Sequence, residues 1–190
     1  EDAPPKEKVL SVVDSILESV DRCGTITHRL LGFAKHMDVQ REGIDLDLLL
    51  KSVLGFLEKE ATYRRLKVKL STDEDVPTII SDRGQLQQVF LNIVNNAFAA
   101  VDEGGEIDIH IGMAAPAHVA VEVKDDGKGI PQKDLERIFE PFFTTKKSQG
   151  TGLGLSITYG IVQKLGGRIK VASKEGQGTR FTVTLPTDRS

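Results

Sequence analysis

The chain contains 190 residues, with 25 basic and 28 acidic side chains and a formal net charge of −3 at pH 7. This mildly acidic balance gives no broad attraction for nucleic acid or anionic lipid, so no nucleic-acid partner is expected and an anionic ligand must be held locally. The single cysteine excludes an internal disulfide and a cysteine-rich zinc site, and no apolar run approaches the roughly 18 residues of a membrane span.

Residues 1–40 are expected to form one long helix of a helical bundle. Between Lys6 and Asp38, apolar side chains recur at alternating steps of four and three residues, and Thr27 is the one polar member of the series. The apolar members of this heptad seam are Val9, Val13, Ile16, Val20, Cys23, Leu30, Ala34 and Met37. Such a seam indicates a helix that packs on other helices, so we expect it to pair with a second copy or to be partly disordered.

Residues 41–190 are expected to form a second unit, in which helices and alternating apolar segments interleave. The predicted elements are a polar hinge at 40–43, a helix capped by Asp45 or Asp47 and ending near Arg64, strands at 67–72 and 78–80, a helix capped by Ser81 or Asp82 and ending before Gly104, strands at 105–113 and 118–125, a short helix at 131–138, a helix ending before Gly166, and two strands within 167–186. The pattern favours a two-layer α/β (α+β) sandwich with helices on one face of a mixed sheet.

The segment GTGLGLSI at residues 150–157 places three glycines at alternate positions ahead of the last predicted helix. Glycines let backbone amides approach a ligand, and the following helix aims unpaired N–H groups at the loop, so phosphate is the natural occupant. No lysine of the chain has the glycine spacing of the Walker A motif, and Leu155 takes the last glycine slot of GxGxxG, so the segment fits neither motif. Taken alone, the loop is equally consistent with an ordinary glycine turn.

A second glycine pair lies in DDGKGI at residues 125–130, after the alternating segment VAVEV. A carboxylate that emerges from a buried strand needs a hydrogen-bond donor, and the amino group of adenine is a suitable one. The alternative is a hairpin-type Asp-Gly turn. Of the two acids, Asp126 is expected to be the more exposed to solvent.

Asn92 and Asn96 lie four residues apart on a predicted helix, so both amides leave one face, one turn apart. Neutral oxygen ligands suit Mg²⁺, which shares its coordination shell with nucleotide phosphates. As an alternative, either amide could bond to buried backbone. Asn95 points elsewhere and is expected at the surface or bonded to backbone.

Three phenylalanines, Phe139, Phe142 and Phe143, precede a loop that contains Lys146. Aromatic residues at this density usually belong to a core. The alternative is a mobile lid that docks by its phenylalanines and carries Lys146 toward phosphate oxygens.

Together, these segments resemble the catalytic ATP-binding domain of bacterial sensor histidine kinases, within the GHKL ATPase superfamily. The matching segments are QLQQVFLNIVNNA at 85–97 (N box), DDGKGIP at 125–131 (G1 box), FEPFFTTK at 139–146 (F box), GTGLGLSI at 150–157 (G2 box) and GTRF at 178–181. The FFTTK form resembles the nitrogen-regulator and zinc-responsive subtype. The resemblance implies a Bergerat-type ATP-binding fold for residues 41–190, preceded at 1–40 by the second helix of the dimerisation and phosphotransfer hairpin.

The resemblance also implies roles for individual residues. Asp125 would bind the adenine amino group, and Thr179 would support the same region. Asn96 would ligate Mg²⁺, with Asn92 positioning the metal or the phosphates, and Lys146 would contact phosphate; Asn92 and Lys146 are the candidate catalytic residues. The remaining candidates would shape the nucleotide pocket and its lid: Gly127, Gly129, Phe139, Phe142, Gly150, Thr151, Gly152, Leu153, Gly154 and Leu155.

The implied activity is transfer of the γ-phosphoryl group of ATP to a histidine, and then to an aspartate of a response-regulator receiver domain. The intact protein would be a cytoplasmic homodimer in this region, with any membrane anchor outside the chain. In the family the acceptor histidine precedes an acidic residue and, a few places on, a proline. His28, His36, His110 and His118 lack this context. The chain is therefore expected to begin after the acceptor and to bind nucleotide without phosphorylating itself.

Two alternatives stay open. Other superfamily ATPases, of the gyrase, mismatch-repair and chaperone types, generally carry an acidic residue where Asn92 stands, so the amide weakens a hydrolase interpretation. A nucleotide-binding regulatory module without kinase activity is the second alternative. Intact glycines, Asp125 and Asn96 argue against a degenerate enzyme, and the heptad seam argues against a free-standing regulator.

Overall fold

The computed structural model describes residues 40–145 and 150–188. The predicted bundle helix between Lys6 and Asp38, and Lys146, lie outside the described residues. The elements in chain order are β1 (Glu42–Ile44), α1 (Leu46–Tyr63), β2 (Lys67–Thr72), β3 (Ile79–Ser81), α2 (Arg83–Ala100), β4 (Glu106–Ala115), β5 (His118–Asp125), α3 (Gln132–Leu135), α4 (Gly154–Lys164), β6 (Arg168–Ser173) and β7 (Thr179–Pro186).

A five-stranded mixed sheet with the strand order β2-β4-β5-β7-β6 forms one layer. β2 runs parallel to β4, whereas the β4–β5, β5–β7 and β6–β7 pairs are antiparallel. A separate two-stranded sheet joins β1 to β3. The predicted two-layer architecture with a mixed sheet is therefore confirmed.

The second layer consists of helices that cover one face of the sheet. α2 packs between α1 and α4. α1 contacts β2, α2 contacts β5, and α4 contacts β6. Alternate strand residues are buried beneath them, among them Ile107, Ile109, Ile111, Val119, Val121, Val123, Phe181, Val183 and Leu185. Since successive strand side chains point to opposite faces, the other face carries polar and charged residues.

Two of the helices begin at aspartate caps, as the sequence predicts. The Asp45 side chain accepts a hydrogen bond from the Leu48 N–H at 3.0 Å, and Asp82 accepts one from the Gln85 N–H at 2.8 Å. Each carboxylate satisfies an N–H group that has no partner within its helix. By contrast, the capping position of α4, Leu153, offers no side-chain hydrogen bond.

Two local predictions are wrong. Residues 42 and 43 of the predicted hinge belong to β1 (Glu42–Ile44), a strand too short for its alternation to be visible in the sequence. Only residues 132–135 of the helix predicted at 131–138 are α-helical; beyond them the chain continues in i→i+3 turns, with Glu140 N–H bonded to the Arg137 carbonyl at 2.8 Å. Pro141 disfavours helical geometry at the residue before it, which limits extension of the helix.

Within the two described ranges, no helix is both long enough and apolar enough to traverse a bilayer.

Candidate functional site

Asp125 is the last residue of β5, and only 3% of the residue is exposed. Its Oδ1 accepts hydrogen bonds from the backbone N–H groups of Gly127 at 3.0 Å and Thr179 at 3.2 Å. Oδ2 accepts no hydrogen bond from the described residues. Every fully enclosed side-chain oxygen or nitrogen of these residues has a hydrogen-bond partner, so Oδ2 is not fully enclosed and must reach an opening. The backbone thus holds one carboxylate oxygen and leaves the other as a directed acceptor.

Burial raises the pKa of Asp125 above its ordinary value of 3.8, and the two backbone N–H donors oppose this shift. The nearby charge of Asp126 also raises that pKa, by a smaller amount. Asp126 is exposed, as expected, and its Oδ1 accepts a 2.9 Å hydrogen bond from the Glu106 N–H. The two adjacent acids therefore differ in role. Asp126 braces a turn, whereas Asp125 is buried and keeps one carboxylate oxygen without a hydrogen bond from the described residues.

A row of polar side chains crosses three strands beside Asp125. Thr179 is the register partner of Asp125 on one side and of Ser173 on the other. The Ser173 Oγ lies 3.0 Å from the Thr179 Oγ1, 2.9 Å from the Gly178 carbonyl and 2.8 Å from the Ile130 N–H. The sequence prediction missed Ser173, although strand alternation from the buried Ile169 assigns it to the inner face of the sheet.

The loop after Asp125 lies between the end of α2 and the β6–β7 turn. Lys128 N–H bonds to the Ala100 carbonyl at 3.1 Å, and Gly176 N–H bonds to the Lys128 carbonyl at 2.8 Å. A side chain at Gly127 would collide with the Ala100 carbonyl. Gly129 adopts φ +67°, where a side chain would collide with the Lys174 carbonyl. Both predicted glycines are therefore required by close backbone packing.

Asn92 joins α2 to the first turn of α4. Its Nδ2 donates to the Gly154 carbonyl and to the Thr158 Oγ1, both at 3.3 Å. Since a carbonyl can only accept, this contact fixes the orientation of the amide and leaves Oδ1 with unused lone pairs. Thr158, which is fully buried, was not predicted from the sequence.

Asn96 lies one turn further along the same face of α2. It is half-buried, and within the described ranges its side chain makes no hydrogen bond. Asn92, Asn96 and Ala100 follow each other at four-residue steps, about 6 Å per step along the axis. Asn96 therefore lies between the contact to Gly154 and the contact to the Asp125 loop, whereas Asn95 is exposed.

The start of α4 presents backbone donors. The first hydrogen bond of the helix joins Ile157 N–H to the Leu153 carbonyl at 3.0 Å, so the amides of residues 154–156 have no partner within the helix. Unpaired N–H groups at a helix start favour an anion. In the preceding loop, Leu153 N–H approaches the Thr151 Oγ1 at 3.5 Å, and Gly150 is half-buried.

The phenylalanine segment contacts this loop mainly through its backbone. Phe142 adopts φ +67° with 67% of its surface exposed, and a side chain at Gly152 would collide with the Phe142 backbone. The Phe139 ring packs on Tyr159 of α4, with centroids 5.4 Å apart. Phe143 lies under the Arg137 guanidinium at 4.6 Å. Lys146, the predicted phosphate contact, lies outside the described residues.

The candidate residues thus fall into two groups joined by α2. Asp125, Thr179, Gly127 and Gly129 lie in or beside the loop that contacts Ala100, and Gly154, at the start of α4, contacts Asn92. Within the described part of the chain, no cluster of three His, Cys, Asp or Glu side chains could hold a metal alone. The two asparagine amides therefore fit only a cation that takes most of its ligands from a bound anion or water.

Comparison with known proteins gives a consistent match. The family of Histidine kinase-, DNA gyrase B-, and HSP90-like ATPases matches residues 81–189. The sensor histidine kinase ZraS of Escherichia coli O157:H7 is 35% identical over 188 residues, which cover 99% of this chain and 41% of that protein. The chain therefore spans well under half the length of this curated relative.

Two solved structures share the fold. Full-length ShkA in complex with AMPPNP matches with a TM-score of 0.80 at 26% identity, covering 100% of this chain and 41% of that one. Histidine kinase ThkA in complex with the response regulator protein TrrA matches with a TM-score of 0.76 at 29% identity, covering 98% of this chain and 53% of that one.

Proposed function

The chain belongs to the family of histidine kinase-, DNA gyrase B- and HSP90-like ATPases, and we propose that it is the part of a sensor histidine kinase that binds magnesium-ATP and donates its γ-phosphoryl group to a histidine. The observation that carries this proposal is the joint arrangement of Asp125, with its open Oδ2, and the two amides of α2. Their positions suit a ligand with a donor group at one end and phosphates at the other.

Base recognition falls to Asp125 and Thr179. The open Oδ2 accepts a hydrogen bond from an exocyclic amino group, as adenine offers. Because Asp125 is almost fully buried, water hydrates its carboxylate poorly. A hydrogen bond from a ligand amino group to Oδ2 is therefore stronger than it would be at the surface. AMPPNP, the ligand of ShkA, carries this adenine base and supports the assignment.

The phosphate end falls to α4 and the loop before it. The amides of residues 154–156 donate to phosphate oxygens, and the glycines at 150, 152 and 154 leave room for close approach. Asn96, with Asn92 beside it, offers amide oxygens to Mg²⁺. Mg²⁺ bound there would neutralise the negative charge of the phosphate oxygens. Lys146 remains a predicted phosphate contact.

Phosphoryl transfer needs positioning more than covalent help from this chain. The bond between the γ-phosphorus and the bridging oxygen breaks, ADP leaves with that oxygen, and a histidine nitrogen forms the new bond. No residue of the site need act as nucleophile. The Asn92 amide cannot take a proton from water, so this site favours transfer to a histidine over hydrolysis.

Partners follow from the same proposal. The match to a histidine kinase bound to a response regulator supports onward transfer to a receiver-domain aspartate. The heptad seam in residues 1–40 supports assembly as a homodimer. The acceptor histidine would lie on the other helix of the dimerisation and phosphotransfer hairpin. We expect this chain alone to bind nucleotide without labelling itself.

A transfer assay tests the function. The chain is mixed with a separately prepared helical hairpin that carries an acceptor histidine, in the presence of γ-labelled ATP and Mg²⁺. Acid-labile label on the hairpin is expected, with none on the chain and none when Asp125→Asn replaces the wild type. Rapid release of phosphate without any labelled hairpin would instead favour an ATPase, and binding without either reaction would favour a regulatory module.

A further inference from the structure

The hydroxyl of Ser173 is the centre of a hydrogen-bond group beside Asp125. It lies 2.8 Å from the Ile130 N–H, 2.9 Å from the Gly178 carbonyl and 3.0 Å from the Thr179 Oγ1. A serine hydroxyl has one proton and two lone pairs, so these three contacts use its full capacity.

The identities of the neighbours determine where each proton points. The Gly178 carbonyl can only accept, so it takes the single proton of Ser173. The Ile130 N–H can only donate, so it occupies one lone pair of Ser173. The other lone pair must accept the proton of Thr179. Thr179 is consequently a fixed donor toward Ser173, and its own lone pairs remain for the side on which Asp125 lies.

At this end of the proposed nucleotide site, the Asp125 Oδ2 and the Thr179 Oγ1 are therefore both acceptors toward a ligand. Thr179 is 5% exposed and Asp125 is 3% exposed, so neither is well screened by water. A ligand donor is matched there, whereas a ligand carbonyl would face two acceptors and leave them without partners. Sites that hydrogen-bond a specific substrate group reject analogues that lack it far more strongly than apolar pockets do.

We propose that Ser173 is a positioning residue that sets nucleobase preference, by holding Thr179 as an acceptor so that a 6-aminopurine is preferred to a 6-oxopurine. The inference rests on the proposed nucleotide function and extends it to the choice of base. Ser173 itself need not touch the ligand, because it acts through the proton of Thr179.

The experiment compares Mg-ADP with Mg-IDP, which share the sugar and diphosphate; the 6-oxopurine has a carbonyl in place of the amino group and carries a proton on the adjacent N1. Calorimetry gives the Kd ratio for wild type, Ser173→Ala and Ser173→Thr. In Ser173→Ala the Thr179 proton is free to rotate toward a carbonyl, so the preference for ADP should fall about tenfold, as expected for one hydrogen bond of about 1.4 kcal/mol. Ser173→Thr restores a hydroxyl on a strand and should restore the preference.

A coupled variant separates positioning from simple support of the loop. In a Thr179→Val background there is no proton to position, so adding Ser173→Ala should leave the ADP-to-IDP ratio unchanged. If Ser173→Ala weakens both ligands equally in the wild-type background, the serine only supports the fold and the proposal is overturned. Should Ser173→Ala fail to fold, Ser173→Cys retains the shape with a weak hydrogen-bonding group and must still lower the ratio.

Different results would contradict the nucleotide function and the role of Ser173. A well-folded wild type that binds neither diphosphate contradicts the nucleotide function itself. Tight ADP binding with no preference over IDP, or with a preference that Ser173→Ala does not change, contradicts only the role of Ser173.

Discussion

Asn92 of α2 and Gly154 at the start of α4 are joined by a 3.3 Å hydrogen bond from the Asn92 Nδ2 to the Gly154 carbonyl. The same amide thus braces two helices through its Nδ2, while its Oδ1 accepts no hydrogen bond from the described residues. Asn96, one turn later, makes no such contact in the described ranges. Asn92 and Asn96 therefore have related proposed roles, but only Asn92 also holds two helices together.

The first prediction separates these roles. Asn96→Ala should leave the free energy of unfolding within about 0.5 kcal/mol of wild type, whereas Asn92→Ala should lower it by about 1 kcal/mol. Wild type should bind ADP more tightly in the presence of Mg²⁺ than in EDTA, and both variants should lose most of this difference. Urea unfolding and calorimetry provide the two measurements. Equal stability of the two variants would contradict the bracing role of Asn92.

The second prediction concerns pH and Asp125. Burial raises the pKa of this carboxyl in the folded state, so its ionised form is destabilising there. The penalty is complete above the raised pKa, shrinks as the pH falls from that value, and disappears below 3.8, where the carboxyl is protonated in both states. Asp125→Asn should therefore be more stable than wild type near neutral pH, and this gain should vanish in acid.

The same substitution should impair binding. An asparagine directs an amide at the open position, where a ligand amino group needs an acceptor, so ADP affinity should fall at least tenfold, about 1.5 kcal/mol or more. In the wild type, ADP affinity should also decline as the pH drops through the raised pKa. Asp126→Asn is the matched control, because its carboxylate is exposed. A pH-independent ADP affinity in the acid range would count against this assignment.

The third prediction uses two glycines of one turn. Gly176 and Gly178 have φ values of +74° and +89°, but a side chain at Gly176 meets open space, whereas one at Gly178 would collide with the Asp125 carbonyl. Gly176→Ala should cost about 1 kcal/mol of stability and spare ADP binding. Gly178→Ala should cost more and weaken ADP binding at least tenfold, because it displaces the end of β5. Similar affinities for both variants would show that the Asp125 position tolerates displacement.

The fourth prediction concerns the backbone of Phe142. A positive φ is unfavourable for a bulky residue, and the ring is largely exposed, so little packing offsets the strain. Phe142→Gly should therefore be more stable than Phe142→Ala by about 1 kcal/mol in urea unfolding, since alanine removes the ring and retains the strain. Identical stability would mean that the alanine variant relaxes to another conformation.

The sequence predicts local features of this fold well. The caps Asp45 and Asp82 act within three residues of their own positions, so their chemistry is visible in a short window. Strand alternation and glycine turns likewise predict β2 and the β6–β7 pair. The burial of Asp125 was also predictable, because an apolar alternation leads directly to it.

Features that depend on distant partners were not predictable in this way. Ser173 acquires its role from Ile130, which lies 43 residues away along the chain. The parallel β2–β4 pairing likewise joins two strands that β3 and α2 separate along the chain, so no short window of sequence contains it. The positive φ of Phe142 has no local signature, because aromatic residues rarely adopt it.

The face of α2 formed by Asn92, Asn96 and Ala100 also sets a fixed distance between the two ends of the proposed site. One end of this face is tied to the Asp125 loop and the other to the start of α4, so the distance between them is built into a rigid rod. AMP, ADP and ATP share one base and differ only in how many phosphates extend from it. In the proposed nucleotide site, this helix would hold the base end and the phosphate end at one separation, so the number of phosphates would decide how far a ligand reaches toward Asn92 and the start of α4.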